Sequence, residues 1–156
     1  MKRHLIIAII CTSTLVVTLA VVAYATPSFG FVASTILARG PFTSPINGHS
    51  DNIVLQAHQS TDHVVQNIVW GAGASSGWHR HPGIVVATVQ SGAVAFYDED
   101  CQRHVIAAGQ SFWESGPDAG LVRNEGMVDA VVYSTYLVPA GVALRIDMPN
   151  PGCLVD

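Results

Sequence analysis

The sequence predicts an all-β domain, a sandwich or barrel of short strands. Two observations predict it. Val-, Ile-, Tyr- and Thr-rich runs recur along the chain, separated by turns carrying Gly, Asp, Ser or Pro. No run sustains the 3.6-residue apolar period that would build a helix, so the alternating helices of an α/β fold are missing.

The chain of 156 residues suits one domain with its own core. Its first stretch has a different character. Lys2 and Arg3 precede an apolar run from Leu5 to Ala23, softened only by Thr12, Ser13, Thr14 and Thr18, and Ala23-Tyr24-Ala25 follows as a small-x-small triplet. Residues 1–25 thus read as a signal peptide cut after Ala25, with an uncleaved membrane anchor as the alternative. Both place the remainder outside the cytoplasm, either secreted or anchored. The bulky Ile9 and Ile10 ahead of Cys11 do not suit a lipoprotein signal.

Residues 26–51, rich in Thr, Ser, Pro and Gly, form a lead-in segment with room for one strand at Phe31–Leu37. The domain proper is expected over residues 52–153. Its strand runs are Ile53 to Leu55, Val64 to Trp70, Ile84 to Val89, Ala93 to Tyr97 and His104 to Ala107. Then come Ser111 to Trp113, Leu121-Val122, Val128 to Val138 and Ala143 to Ile146. Among the breaks are Gly71-Ala72-Gly73, Ser91-Gly92, Asp98-Glu99-Asp100, Ala108-Gly109, Ser115-Gly116-Pro117 and Glu125-Gly126.

Charge narrows the function classes. Without residues 1–25 the chain keeps 7 − 2 = 5 basic residues against 11 acidic ones, a formal charge of −6. The five are Arg39, Arg80, Arg103, Arg123 and Arg145, scattered singly, so nucleic acid has no basic stripe to bind. Membrane contact is expected only through the N-terminal segment, if that segment stays uncleaved. Cys101 and Cys153 are the cysteines that remain, and outside the cell they are expected to form one disulfide, two free thiols being the alternative. Neither has a paired histidine that would make it a nucleophile. No phosphate-binding glycine loop and no G-x-S-x-G elbow is present.

His79 and His81 stand two apart, with Arg80 between them. On an extended strand both imidazoles project from one face, supplying two adjacent positions for a metal. Alone, the pair also fits two ordinary surface histidines. Its surroundings add to it. Gly73, then His79-Arg80-His81, then Gly92 eleven positions after His81, match the first sequence motif of the cupins. Gly109 and Arg123-Asn124-Glu125-Gly126 resemble the second. Gly77-Trp78-His79-Arg80-His81-Pro82-Gly83, Leu137-Val138-Pro139-Ala140-Gly141 and the tail from Arg145 to Cys153 resemble a branch of small exported bacterial cupins.

The resemblance spans residues 33–153 and implies a double-stranded β-helix, or jelly-roll barrel, with a pocket in its mouth. In cupins of full motif, three histidines and a glutamate hold a divalent metal there. Two of the histidines fall on His79 and His81. The glutamate position is occupied by Val85 and the third histidine position by Gly120, while Ser115 stands where a proline is usual. Two imidazoles alone would hold Fe²⁺, Mn²⁺ or Zn²⁺ weakly, so a substitute carboxylate is of interest. Asp118, two residues before Gly120, is the first candidate, although a turn role after Pro117 competes with ligation. Glu114 is the second, with a solvated rim carboxylate as its alternative. Trp78 is a candidate pocket wall; for Trp113 core packing is expected. His49, His58, His63 and His104 lack partner spacing and read as surface or singly hydrogen-bonded groups.

The leading expectation is an exported cupin that binds a small molecule, with a weak divalent metal on the His pair. One alternative is a metal-dependent oxygenase- or isomerase-like enzyme in which Asp118 or Glu114 completes the site. The other is a metal-free binding or assembly module. Cupin barrels often pair, so a homodimer is compatible with the resemblance, but the sequence identifies no interface.

Overall fold

The computed structural model describes residues 24–156, and every regular element among them is a strand. The first six are β1 (Phe29–Phe42), β2 (Ile46–Ser50), β3 (Ile53–Ala57), β4 (Thr61–Ser75), β5 (His79–Arg80) and β6 (Ile84–Ser91). Then follow β7 (Ala93–Tyr97), β8 (Arg103–Ala107), β9 (Ser111–Glu114), β10 (Leu121–Arg123), β11 (Ala130–Pro139) and β12 (Ile146–Asp147). The stretch expected to direct export lies outside the described residues, apart from Tyr24 and Ala25.

Period-two patterning sets the inner face. In β6, Val85, Ala87 and Val89 are buried while Ile84, Val86 and Thr88 between them are exposed. In β11, Ala130, Val132, Ser134, Tyr136 and Val138 are the buried set. The antiparallel sheet runs β8-β7-β10-β4-β11-β6-β9, with β1 also paired to β4. The long β4 joins the two halves of this arrangement, β8-β7-β10 and β11-β6-β9. It pairs with β11 from Thr61 to Trp70 and meets β10 only at Ser75. The sheet thus curls into a barrel around Val89, Val94, Ile106, Val122 and Val132. Full burial of each such side chain stabilises by about 1.5–3 kcal/mol.

Two motif residues have structural work. Gly92 makes the β6–β7 turn at φ +73°, where a Cβ would lie 2.8 Å from Asp129 O. Asn124, fully buried, donates its amide to the carbonyls of Trp70, Gly71 and Val128 and accepts from the Gly126 amide, clipping the end of β10 to β4.

The lead-in segment holds β1 and β2. β1 lies along β4 from end to end with three register shifts, which its Gly and Pro residues hide from a periodicity reading. Arg39 of β1 donates twice to Asp62 Oδ2 of β4, and the Gly141 amide donates to the same oxygen. β2 and β3 form a separate hairpin whose tip is Asp51-Asn52. Of the run Ala143 to Ile146, only Ile146 is strand; residues 140–145 form turns and loop, and Leu144 and Arg145 come to line the inner cavity. Trp113, expected in the core, is 67% exposed on the outer face of β9, since its neighbours Phe112 and Glu114 take the inward positions.

Candidate metal centre

Two short pairings hold the histidines in place. β5 pairs with β12, setting Asp147 opposite His79 and Ile146 opposite Arg80. On its other side His79 forms a bridge with Gly120: the His79 amide donates to Gly120 O at 2.9 Å and the Gly120 amide to His79 O at 2.7 Å. Both rings are buried, and their planes are nearly perpendicular with centroids 4.8 Å apart.

The ring tautomers follow from their partners. His79 Nδ1 lies 3.0 Å from Gly77 O, and His81 Nδ1 lies 2.6 Å from Leu144 O. A carbonyl only accepts, so each Nδ1 carries the hydrogen and each Nε2 presents a bare lone pair. Burial, with Arg145 and His81 adding to it, pushes His79 down to about 3. Burial also lowers His81, against the opposing Leu144 carbonyl. Both rings are therefore neutral near pH 7. Their Nε2 atoms nevertheless face each other at 3.1 Å, and Glu114 Oε2 lies 3.7 Å from each. With the rings neutral, these contacts are neither ion pairs nor a hydrogen bond between the histidines. Two ring lone pairs and the Glu114 carboxyl converge on one point, and neither histidine aims a hydrogen at it.

That arrangement fits a cation. Donor atoms 2.0–2.2 Å from a common metal lie about 3–4 Å from one another. His79, His81 and Glu114 form a group whose ligand atoms all lie within 4.8 Å of one another. The Nδ1–carbonyl bonds are the outer contacts that orient metal-binding histidines. Burial pushes the Glu114 carboxyl up to about 7, with Arg145 pulling the other way, so a nearby positive charge would favour its ionised form.

Glu114 reaches this point from β9, where it is paired with Val85 of β6. Residues directly opposite in an antiparallel pair share a face, so the carboxylate occupies the side on which Val85 points inward. Gly120 leaves the necessary room. A Cβ there would lie 2.6 Å from Phe96 Cε2 and 3.4 Å from Glu114 Oε2.

Asp118 does not join the group. It is exposed in the β9–β10 connection and lines an outer cavity of about 650 Å³ with Asp98, Glu99, Asp100 and His104. Pro117 and Gly116 hold residues 115–119 in a loop, so the strand spacing that would have aimed Asp118 inward does not apply. Trp78 walls neither cavity; it is fully buried against Leu121 and Cys153, its Nε1 donating to Val155 O at 3.0 Å. Val85 lines the inner cavity, Gly120 the outer one, and Glu114 both. His104 is half exposed and bonds Asp98 at 3.0 Å, while His49, His58 and His63 are exposed. Cys101 and Cys153 form a disulfide that ties the tail to the β7–β8 turn.

Of the inner cavity of about 160 Å³, the sequence marks His79, His81, Val85 and Glu114 but not the rest of the wall. Tyr136, Gln66, Ser134 and Arg145 contribute to its wall. Tyr136 donates to Gln66 Oε1 at 2.6 Å, and Gln66 donates to Ser34 Oγ at 2.8 Å. These residues sit in strand interiors or a late loop, where no spacing pattern marks them.

No protein-family model matches the chain, and no curated protein matches its sequence. Several solved structures are similar in shape. An uncharacterised Klebsiella pneumoniae protein with a double-stranded β-helix domain is 19% identical, over 67% of this chain and 84% of the other, with a TM-score of 0.48. A Cupin 2 conserved barrel domain protein from Salinispora arenicola is 18% identical, over 69% and 75%, with a TM-score of 0.48. A predicted oxalate decarboxylase from Thermotoga maritima is 15% identical, over 53% and 83%, with a TM-score of 0.44. These likenesses are of fold and carry no activity to this chain. The all-strand architecture and the curled antiparallel sheet make the described residues an all-β, jelly-roll-like barrel, the fold that the sequence resemblance implies.

Proposed function

We propose that the protein is an exported metal-centred barrel in which His79, His81 and Glu114 hold a divalent metal and the adjoining cavity takes a small molecule. The observation that carries this reading is the convergence of two Nε2 lone pairs and a carboxylate oxygen, with both Nδ1 atoms committed to backbone carbonyls. Two histidines and one carboxylate with positions left open suit non-haem Fe²⁺ among the expected metals, and this favours a metal-dependent enzyme over a metal-free module. When bound, such a metal supplies a Lewis acid and an open coordination position. The chain supplies the rest: Leu144 and Gly77 fix the rings, and the cavity's apolar walls limit water. Export is supported by the character of residues 1–25 and by the Cys101–Cys153 disulfide, which suits an oxidising compartment.

Calorimetric titration of chelator-treated protein with Zn²⁺ and with anaerobic Fe²⁺ tests the site. One equivalent is expected for the wild type and none for the His79→Ala/His81→Ala double variant. Equal uptake by both proteins would place the metal elsewhere.

A further inference from the structure

The barrel carries an apolar outer face that the described residues leave uncovered. Residues directly opposite across a ladder share a face, so the exposed Trp113 of β9 marks a row that runs through Val86, Thr135, Val65 and Ala38. This row crosses five strands, from β9 through β6, β11 and β4 to β1. The rows beside it add Tyr133 on one side, and Ile84 and Leu137 on the other. Trp113, Ile84, Val86 and Tyr133 are all exposed. No Asp, Glu, Lys or Arg stands at any outward position of these rows.

The β2–β3 hairpin stands beside this face as an arm. It pairs with no other strand, and a two-stranded hairpin with no surface to lie on is only marginally stable. Its pairs Ile46–Ala57 and Gly48–Leu55 put Ile46, Leu55 and Ala57 on one side of the arm. There they enclose a groove of about 480 Å³ with Ile84, Leu137 and Pro139 of the sheet. Ile53, two residues before Leu55, continues this side toward the tip, where it is 75% exposed. The groove is thus apolar on both walls and runs out onto an apolar sheet.

Area and charge select the occupant. Each outward position of a sheet covers about 33 Å², so the rows of the five strands present roughly 550 Å² and the inner side of the arm roughly 200 Å² more. Together they approach the roughly 800 Å² per partner of a stable complex. Without residues 1–25 the chain keeps five basic and eleven acidic residues, so two copies repel except where they meet through uncharged surface. A basic partner would find no acid on this face to pair with, and an anionic lipid surface would find no cation. Exposed Trp and Tyr are the side chains that most often anchor protein interfaces. A patch carried once by each copy is closed by a two-fold axis.

We propose that this face is the interface of a homodimer in which the arm of each copy lies along the outer sheet of the other, with Trp113 and Ile53 inside the contact. The inference goes beyond the metal reading and does not depend on it.

The test is analytical ultracentrifugation of the protein recovered after export, over a concentration series from about 1 to 100 µM. Wild type should sediment as a dimer at the upper end. Trp113→Glu and Ile53→Glu change side chains that are exposed in the single copy, so each should keep the wild-type circular dichroism spectrum. Each should weaken self-association at least about tenfold. Val105→Glu is the control. Val105 is also apolar and exposed but lies on β8, outside the five strands, so this variant should dimerise as wild type does. Wild type that stays monomeric throughout overturns the proposal; if it floats with phosphatidylcholine vesicles, the face belongs to lipid instead. Either Trp113→Glu or Ile53→Glu dimerising as well as wild type overturns it, and so does dissociation of Val105→Glu alongside them.

Discussion

Glu114 stands directly opposite Val85 across the β6–β9 ladder, so a carboxylate reaches the point where His79 and His81 converge from the strand beside the one on which the resemblance implies a glutamate. The chain keeps two ring donors from β5 and its flank, and draws the acid from a neighbouring strand instead of its own. Gly120 belongs to the same exchange, because a side chain there would collide with Phe96.

The buried acid predicts a reversal of stability with metal. The Glu114 carboxyl is raised from 4.5 to about 7 in the folded protein, so its contribution is fully present below about pH 4.5 and lost as the pH rises through 7. Metal-free Glu114→Gln should therefore melt above metal-free wild type at pH 8, by a margin on the order of 3 kcal/mol, and the gap should narrow at pH 5. Thermal unfolding in EDTA at both pH values measures it. With Zn²⁺ present the order should invert, since the Gln variant loses a ligand.

Restoring the motif histidine alone should fail. Gly120→His and Gly120→Ala are both expected to lower stability by about 1–3 kcal/mol, because Phe96 Cε2 lies 2.6 Å from the new Cβ position. Denaturant midpoints would show it, and Gly120→His should not tighten Zn²⁺ binding unless Phe96 is also made smaller.

Asp62 should govern part of the acid response of the β1 attachment. The Gly141 amide and the Arg39 guanidinium hold its carboxyl below the usual value of 3.8. Stability gained this way is present above that value and lost as pH falls through the lower folded one. Asp62→Asn should lower the melting temperature at pH 7, with the difference shrinking below pH 4. A difference that stays constant with pH would remove the charge from the explanation.

The disulfide should protect the mouth of the barrel as well as the fold. Cys101 and Cys153 are 52 positions apart, and a loop of that size is worth about 4 kcal/mol in the chain-entropy account, with about 2–4 kcal/mol the usual yield. Cys153→Ser should destabilise by that amount. It should also weaken Zn²⁺ binding, because the tail carries β12, which pairs with His79. Both effects are read from one set of titrations and melts.

What was legible in the sequence follows from period and spacing. The alternation in Ile84 to Val89 marks β6, and the tight turn at Gly92 marks its end, because both are local. The His79–Arg80–His81 spacing locates the pocket for the same reason. Glu114 was visible only as a second candidate, since its placement depends on the β6–β9 register, a non-local fact. Asp118 would face inward only on a regular strand, and the loop at residues 115–119, with Pro117 in it, interrupts that strand. Arg145 and Trp70 gave no signal at all: one sits in a loop and one in a long strand, and only the closed barrel brings them to the same cavity. The outward turn of Trp113 is likewise fixed by which neighbours face in.

The most direct measurement is the metal content of protein purified without a polyhistidine tag and handled anaerobically, determined by mass spectrometry for wild type, Glu114→Gln and His79→Ala/His81→Ala. The account predicts close to one equivalent of a divalent transition metal in wild type, clearly less in Glu114→Gln and none in the double variant. Wild type that is folded yet neither carries nor takes up metal would contradict it.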